Sequence, residues 1–169
     1  MTDMYKAAVI TVSDKGSVGE REDTSGPALC DMLENAGYEV AFTRMIPDEF
    51  DEIAGCLEEL SDRGDLALIL TTGGTGFSPR DVTPEATLSV LEKEARGIPE
   101  AMRAHSLTIT PRACLSRECA GIRKRTLIIN LPGSKKASTE NLEAVIDSIG
   151  HGIDILWGNT SNCAGDGSR

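Results

Sequence analysis

Aromatic residues are scarce in this chain, with one Trp, two Tyr and three Phe among 169 residues. That is too few to build stacking platforms for nucleic-acid bases. Histidine occurs only twice, and the five cysteines (Cys30, Cys56, Cys114, Cys119 and Cys163) form no Cys-x-x-Cys pair. Neither a disulfide framework nor a zinc site is indicated, and the thiols are expected to stay reduced. Cys30 and Cys56 fall within helical patterns and read as small packing residues. Positive charge is also in short supply. Seventeen Lys and Arg face 27 Asp and Glu, giving a net charge of −10 and a pI near 4.7. This disfavours a nucleic-acid backbone or an anionic membrane as the main partner. No run approaches the roughly 18 apolar residues of a membrane span, and the start, Met1-Thr2-Asp3-Met4-Tyr5-Lys6, carries no apolar signal core. A cytoplasmic protein acting on small molecules is expected.

What the chain does have is alternation. Residues 7–12 and 66–70 are dense apolar runs that read as buried strands, and 38–45 and 126–129 as two more. Between them lie helical patterns. The first is capped by Thr24 or Ser25, takes Pro27 in its first turn, carries Leu29, Met32, Leu33 and Ala36 as a stripe and stops at Gly37. The second opens at Pro47-Asp48-Glu49, repeats Phe50, Ile53, Ala54, Leu57 and Leu60, and stops at Gly64. Further helices are expected over 84–95 and 99–106, then a hairpin over 114–129 turned around 121–125. A last helix carries Leu142, Val145, Ile146, Ile149, Ile153 and Leu156 on one face. This order predicts an α/β three-layer sandwich, a mostly parallel central sheet flanked by helices. One domain is expected over 1–158, followed by a polar tail over 159–169.

Ligands of such sheets sit beyond the carboxyl ends of strands. Three loops leave strands there: Ser13-Asp14, the segment 71–81, and Asn130-Leu131-Pro132-Gly133-Ser134. The middle one, Thr71-Thr72-Gly73-Gly74-Thr75-Gly76-Phe77-Ser78-Pro79-Arg80-Asp81, combines three glycines with hydroxyls and ends on a carboxylate before the helix start Thr83-Pro84-Glu85, with the Thr83 hydroxyl at the cap and proline in the first turn. Backbone amides can approach a phosphate closely there. No lysine occurs between Leu66 and Glu92, so this is not a Walker-type loop. With Asp81 in the lysine's neighbourhood, phosphate binding calls for a divalent cation, and magnesium-bridged nucleotide binding is the chemistry suggested. Asp48, on the loop before the second helix, is a second acid that can share the metal; an isolated Pro-Asp-Glu also describes a helix N-cap. The glycines equally describe a tight turn. Pro132-Gly133-Ser134 at a helix start is an anion site by geometry.

The run 71–86, ending Arg80-Asp81-Val82-Thr83-Pro84-Glu85-Ala86, resembles the signature of the molybdenum-cofactor biosynthesis family, specifically the molybdopterin adenylyltransferases. The likeness extends to Thr11-Val12-Ser13-Asp14, Asp23-Thr24-Ser25-Gly26-Pro27, Ile46-Pro47-Asp48-Glu49, Leu115-Ser116-Arg117, Ala120-Gly121-Ile122-Arg123 and 130–137, and so covers roughly residues 7–157. The resemblance implies adenylyl transfer from Mg-ATP to molybdopterin, giving adenylylated molybdopterin and pyrophosphate before a separate enzyme inserts molybdate. It implies Asp48 and Asp81 as the essential acids and magnesium ligands. Ser13, Asp14, Thr72, Gly73, Gly74, Thr75 and Gly76 would line the ligand site. Ser106, Ser116 and Asn130 match positions associated with the pterin and its phosphate, with Arg117 as charge partner, and Pro132, Gly133 and Ser134 close the site. A homotrimer, or in some members a hexamer, is implied, with transient contact to the molybdate-inserting enzyme. Two other readings share the fold: a catalytically silent molybdopterin-binding or scaffolding homologue, and a competence-damage-inducible-type pyrophosphatase.

Overall fold

The computed structural model describes residues 4–159. Its centre is a six-stranded sheet in the order β2-β1-β3-β6-β5-β4, formed by β1 (Lys6–Val12), β2 (Glu39–Ile46), β3 (Leu66–Thr72), β4 (Lys93–Glu94), β5 (Ala120–Arg123) and β6 (Thr126–Leu131). The first four strands of that order run parallel. The β5 and β4 strands complete the sheet antiparallel. Every residue of β3 is buried, as expected of a central parallel strand covered on both faces.

One face packs against α2 (Ser25–Asn35), α5 (Gly97–Leu107) and α6 (Lys135–Trp157), around Leu29, Leu33, Leu68, Leu70, Met102, Leu142 and Ile153. The other packs against α3 (Phe50–Asp62) and α4 (Thr83–Val90), around Ile10, Ile53, Leu57, Ile69 and Ala86. The outcome is the expected three-layer α/β sandwich. Leu57 and Ile53 are wholly buried, but Phe50, counted in the same stripe, is 41% exposed at the helix start.

Several local expectations are corrected. The loop after β1 contains a short helix, α1 (Asp14–Ser17), capped by Ser13 Oγ accepting from the Gly16 amide at 3.0 Å. Thr24 makes no capping bond to α2; Asp23 Oδ1 does so instead, accepting from Gly26 N at 2.9 Å. The helix expected to reach residue 95 stops at Val90, where Leu91 turns extended and leads into the edge strand β4. The expected hairpin is shorter, because Cys114 lies in a 3-10 turn, Pro111–Leu115, and only β5 and β6 pair. Of the expected tail, Asn159 is described and donates to the Tyr5 hydroxyl at 2.6 Å; the remainder, with Cys163, lies outside the described residues.

Candidate active site

The parallel strands end on one side of the sheet, and their loops meet there around a cavity of about 440 Å³ lined by Ser13, Asp48, Thr72, Gly73, Gly74, Asp81, Gly133 and Ser134. Hydrogen bonds onto main-chain carbonyls stitch the loops together. Gly73 N donates to Leu131 O at 3.1 Å, Thr72 Oγ1 to Pro132 O at 2.7 Å and Ser25 Oγ to Gly133 O at 2.7 Å. Gly73 adopts φ +105°, and a Cβ there would lie 2.2 Å from Val12 O. Only glycine fits so close an approach. Ser134 caps α6, its Oγ accepting from Ala137 N, so the start of a 23-residue helix opens beside the cavity and favours an anion.

The acids stand beside the glycine loop. Asp48 does not cap α3, whose N-cap residue is Glu49 with no side-chain bond. Its Oδ2 instead accepts from the Asp14 amide at 2.9 Å. Burial pushes the Asp48 carboxyl above the usual carboxylate range, and the negative charges of Asp14 and Asp81 push it further. Asp14 moves the other way, held low by the Arg80 guanidinium, which grips it through Nε and Nη2 at 2.9 Å each and also reaches Glu49 at 2.8 Å. Asp81 closes its own loop: Oδ2 accepts from Gly76 N and Ser78 N, each at 3.1 Å. Its Oδ1, like Asp48 Oδ1, accepts no hydrogen bond from any described residue, so two carboxylate oxygens remain open at one cavity.

Other expected site residues stand apart. Ser106 is buried and accepts from Asn141 at 3.1 Å. Asn130 is buried, donating to Thr71 at 3.0 Å and Thr87 at 2.9 Å while accepting from Cys119 N at 3.2 Å. Ser116 donates to Glu118 at 2.7 Å. None of the three lines the crevice. Arg117 works from behind, donating to Gly76 O at 2.8 Å and Asp81 O at 2.9 Å and pairing with Glu85. Thr75 is buried with its carbonyl on Arg117 N.

Residues that the sequence did not single out for the site also line the crevice, among them Thr11, Arg21, Asp23, Ser25 and Met45. Asp23 is rigid, taking the Thr11 hydroxyl at 2.6 Å as well as its helix amide. Thr11 and Met45 lie near the carboxyl ends of β1 and β2, and Arg21, Asp23 and Ser25 lie between β1 and the body of α2; position, and for Thr11, Asp23 and Ser25 the shared motifs, were the available signals. Thr83, expected as the cap of α4, is instead its first residue, with Val82 at the cap. Its hydroxyl is buried without a partner among the described residues.

A parallel α/β sheet with a main-chain floor and a carboxylate wall at its carboxyl edge is the architecture of a ligand-binding domain. Residues 8–151 match the family described as probable molybdopterin binding domain, and the chain belongs to that family. It is 46% identical over 153 residues to the molybdopterin adenylyltransferase of Haemophilus influenzae, covering 89% of this chain and 78% of that protein. It is 43% identical over 158 residues to gephyrin of Dictyostelium discoideum, covering 88% of this chain and 22% of gephyrin. Among solved structures, the molybdopterin biosynthesis enzyme MoaB from Thermus thermophilus superposes with a TM-score of 0.87 at 48% identity, over 92% of this chain and 98% of that one.

Proposed function

We propose that this chain is a molybdopterin adenylyltransferase, joining the phosphate of molybdopterin to the adenylyl group of Mg-ATP with release of pyrophosphate. The observation that carries this is the release of Asp48 from helix capping: it shares the crevice with Asp81, each with one oxygen open. Asp14 has Arg80 as its partner, whereas Asp48 and Asp81 repel each other across the crevice, and a divalent cation is a partner that would relieve them. Magnesium is usually held by one or two carboxylates plus substrate phosphates rather than by a protein cage. Two carboxylates, Asp48 and Asp81, lining one crevice fit that habit. When bound, the metal would neutralise charge on the phosphates being joined.

The chain's own groups do the rest. The main-chain floor at Gly74 and Gly133 and the start of α6 would hold phosphate oxygens through amides, and the Asp14–Arg80 pair would fix the acids in place. Because the chemistry is chiefly positioning and charge stabilisation, no side-chain nucleophile is required. The domain that does this spans 1–158. A cytoplasmic homotrimer handing its product to a molybdate-inserting enzyme goes with the reading, as the family resemblance implies; light scattering would give the mass. The deciding experiment mixes the protein with Mg-ATP and molybdopterin and analyses the products. Adenylylated pterin with one pyrophosphate is expected. Pterin binding without turnover, or hydrolysis of a dinucleotide pyrophosphate instead, would overturn the assignment.

A further inference from the structure

Three buried side-chain atoms lack a hydrogen-bond partner among the described residues: Glu118 Oε1, Asn141 Oδ1 and Thr83 Oγ1. The first two belong to residues that do not line the crevice. The third lies under its floor. Thr83 is fully buried at the start of α4, and its amide donates to Gly74 O at 3.1 Å, which fixes the residue beneath the glycine loop. A Cβ placed on Gly74 would sit 2.2 Å from Thr83 Oγ1 and 3.0 Å from Asp48 Oδ1. The hydroxyl and the open carboxylate oxygen therefore border the same small space, the one a Gly74 side chain would fill, with no bond between them. An unmet buried hydroxyl is costly, whereas an isosteric valine would carry no such cost.

We infer that Thr83 is a positioning residue for Asp48, its hydroxyl donating to Asp48 Oδ1 when that carboxylate turns to take magnesium. This rests on the reading of Asp48 and Asp81 as the cation-binding pair. Asp48 Oδ2 is already tied to the Asp14 amide; a second bond from a rigid helix start would fix the remaining freedom of the group. The same contact fits glycine at 74, since a side chain there would crowd both oxygens. The hydroxyl is a donor to a charged acceptor, the strong class of hydrogen bond.

The test uses the intact protein and two readouts apart from turnover: thermal melting without ligand, and calorimetric binding of α,β-methylene-ATP across a magnesium titration. Thr83→Val should melt at or above the parent temperature yet require about ten- to a hundredfold more magnesium, the loss of one bond to a charged group. Thr83→Ser should stay close to the parent. If Thr83→Val does not fold, Thr83→Ala against Thr83→Ser asks the same question. An unchanged magnesium requirement in Thr83→Val, or equal shifts in Val and Ser, overturns the inference. Asp48→Asn is the control. If it too leaves the magnesium dependence unchanged, the cation reading itself falls; if it abolishes the dependence while Thr83→Val does not, only the role of Thr83 is lost.

Discussion

The Asp14 amide donates to the Asp48 carboxylate at 2.9 Å, and the Asp48 amide donates back to the Asp14 carboxylate at 3.0 Å. This exchange joins the loop after β1 to the loop after β2 and turns the Asp48 side chain away from the amides of α3. It separates two acids of equal charge by function, one held low by Arg80 and the other raised by burial.

Asp48→Asn should fold, because an amide oxygen can still accept from Asp14, and should lose adenylyl transfer by orders of magnitude. The pH dependence has a definite sign. A carboxyl whose folded-state pKa is raised contributes stability below the unfolded pKa, and that contribution is lost as pH rises through the folded value. Asp48 therefore weighs against folding at neutral pH. Asp48→Asn should melt no lower than the parent at neutral pH, with any advantage closing as pH falls through the carboxylate range. A clear melting loss at neutral pH would show the carboxylate to be structural.

Asp81→Asn should cost at most about 1 kcal/mol of stability, since one oxygen still takes the Gly76 and Ser78 amides. Transfer should fall by orders of magnitude. Adding Asp48→Asn to it should then change little, because both acids serve one ion. Single-turnover rates of the two single variants and the double would show it; fully additive losses argue for separate roles.

Gly74→Ala and Gly76→Ala should part company. Gly74 has φ +68° and its added methyl would strike Thr83 Oγ1, so both melting temperature and magnesium affinity should fall. Gly76 is outside the left-handed region, and its methyl would meet only Asp81 Oδ2 at 3.0 Å. It should disturb metal-dependent nucleotide binding with a smaller melting change. Equal melting losses would mean both glycines are turn formers alone.

Ser116→Ala should spare ATP binding, since Ser116 does not line the crevice, and should destabilise by about 1 kcal/mol or more through its loss to Glu118. Glu118 is 3% exposed, and burial raises its pKa. Its own contribution is therefore present at acid pH and lost as pH rises, and the Ser116 hydroxyl opposes that loss by favouring the ionised carboxylate, so the melting deficit of Ser116→Ala should grow from acid to neutral pH. A deficit independent of pH would separate Ser116 from the Glu118 charge.

The parallel core was legible because 7–12, 66–70 and 126–129 are apolar enough that only a buried strand suits them. The edge strand β4 was not, since two exposed charged residues, Lys93 and Glu94, carry no alternation. The helix before it was read too long because Leu91 and Ala95 continue a helical spacing that the chain spends on packing the sheet edge. At the site, the convergence of the three loops followed from strand polarity alone. Asn130 shows the limit: a polar residue after a strand reads alike as a ligand group or as a core anchor, and only its bonds to Thr71 and Thr87 reveal the anchor. Thr83 was misread as a cap because orientation, not residue type, separates a capping hydroxyl from one aimed into the floor.

A Cβ on Gly133 would come within 3.3 Å of Gly73 Cα, so two loops from distant parts of the chain touch main chain to main chain. A surface made this way offers natural selection almost nothing to adjust. Amides cannot be exchanged for other groups; a side chain on Gly133 would press on Gly73, and one on Gly73 would strike Val12 O at the end of β1. Divergence toward a different ligand would have to proceed through the walls, at positions such as Arg21, Ser25 and Met45, while the main-chain floor passes unaltered from one descendant to the next.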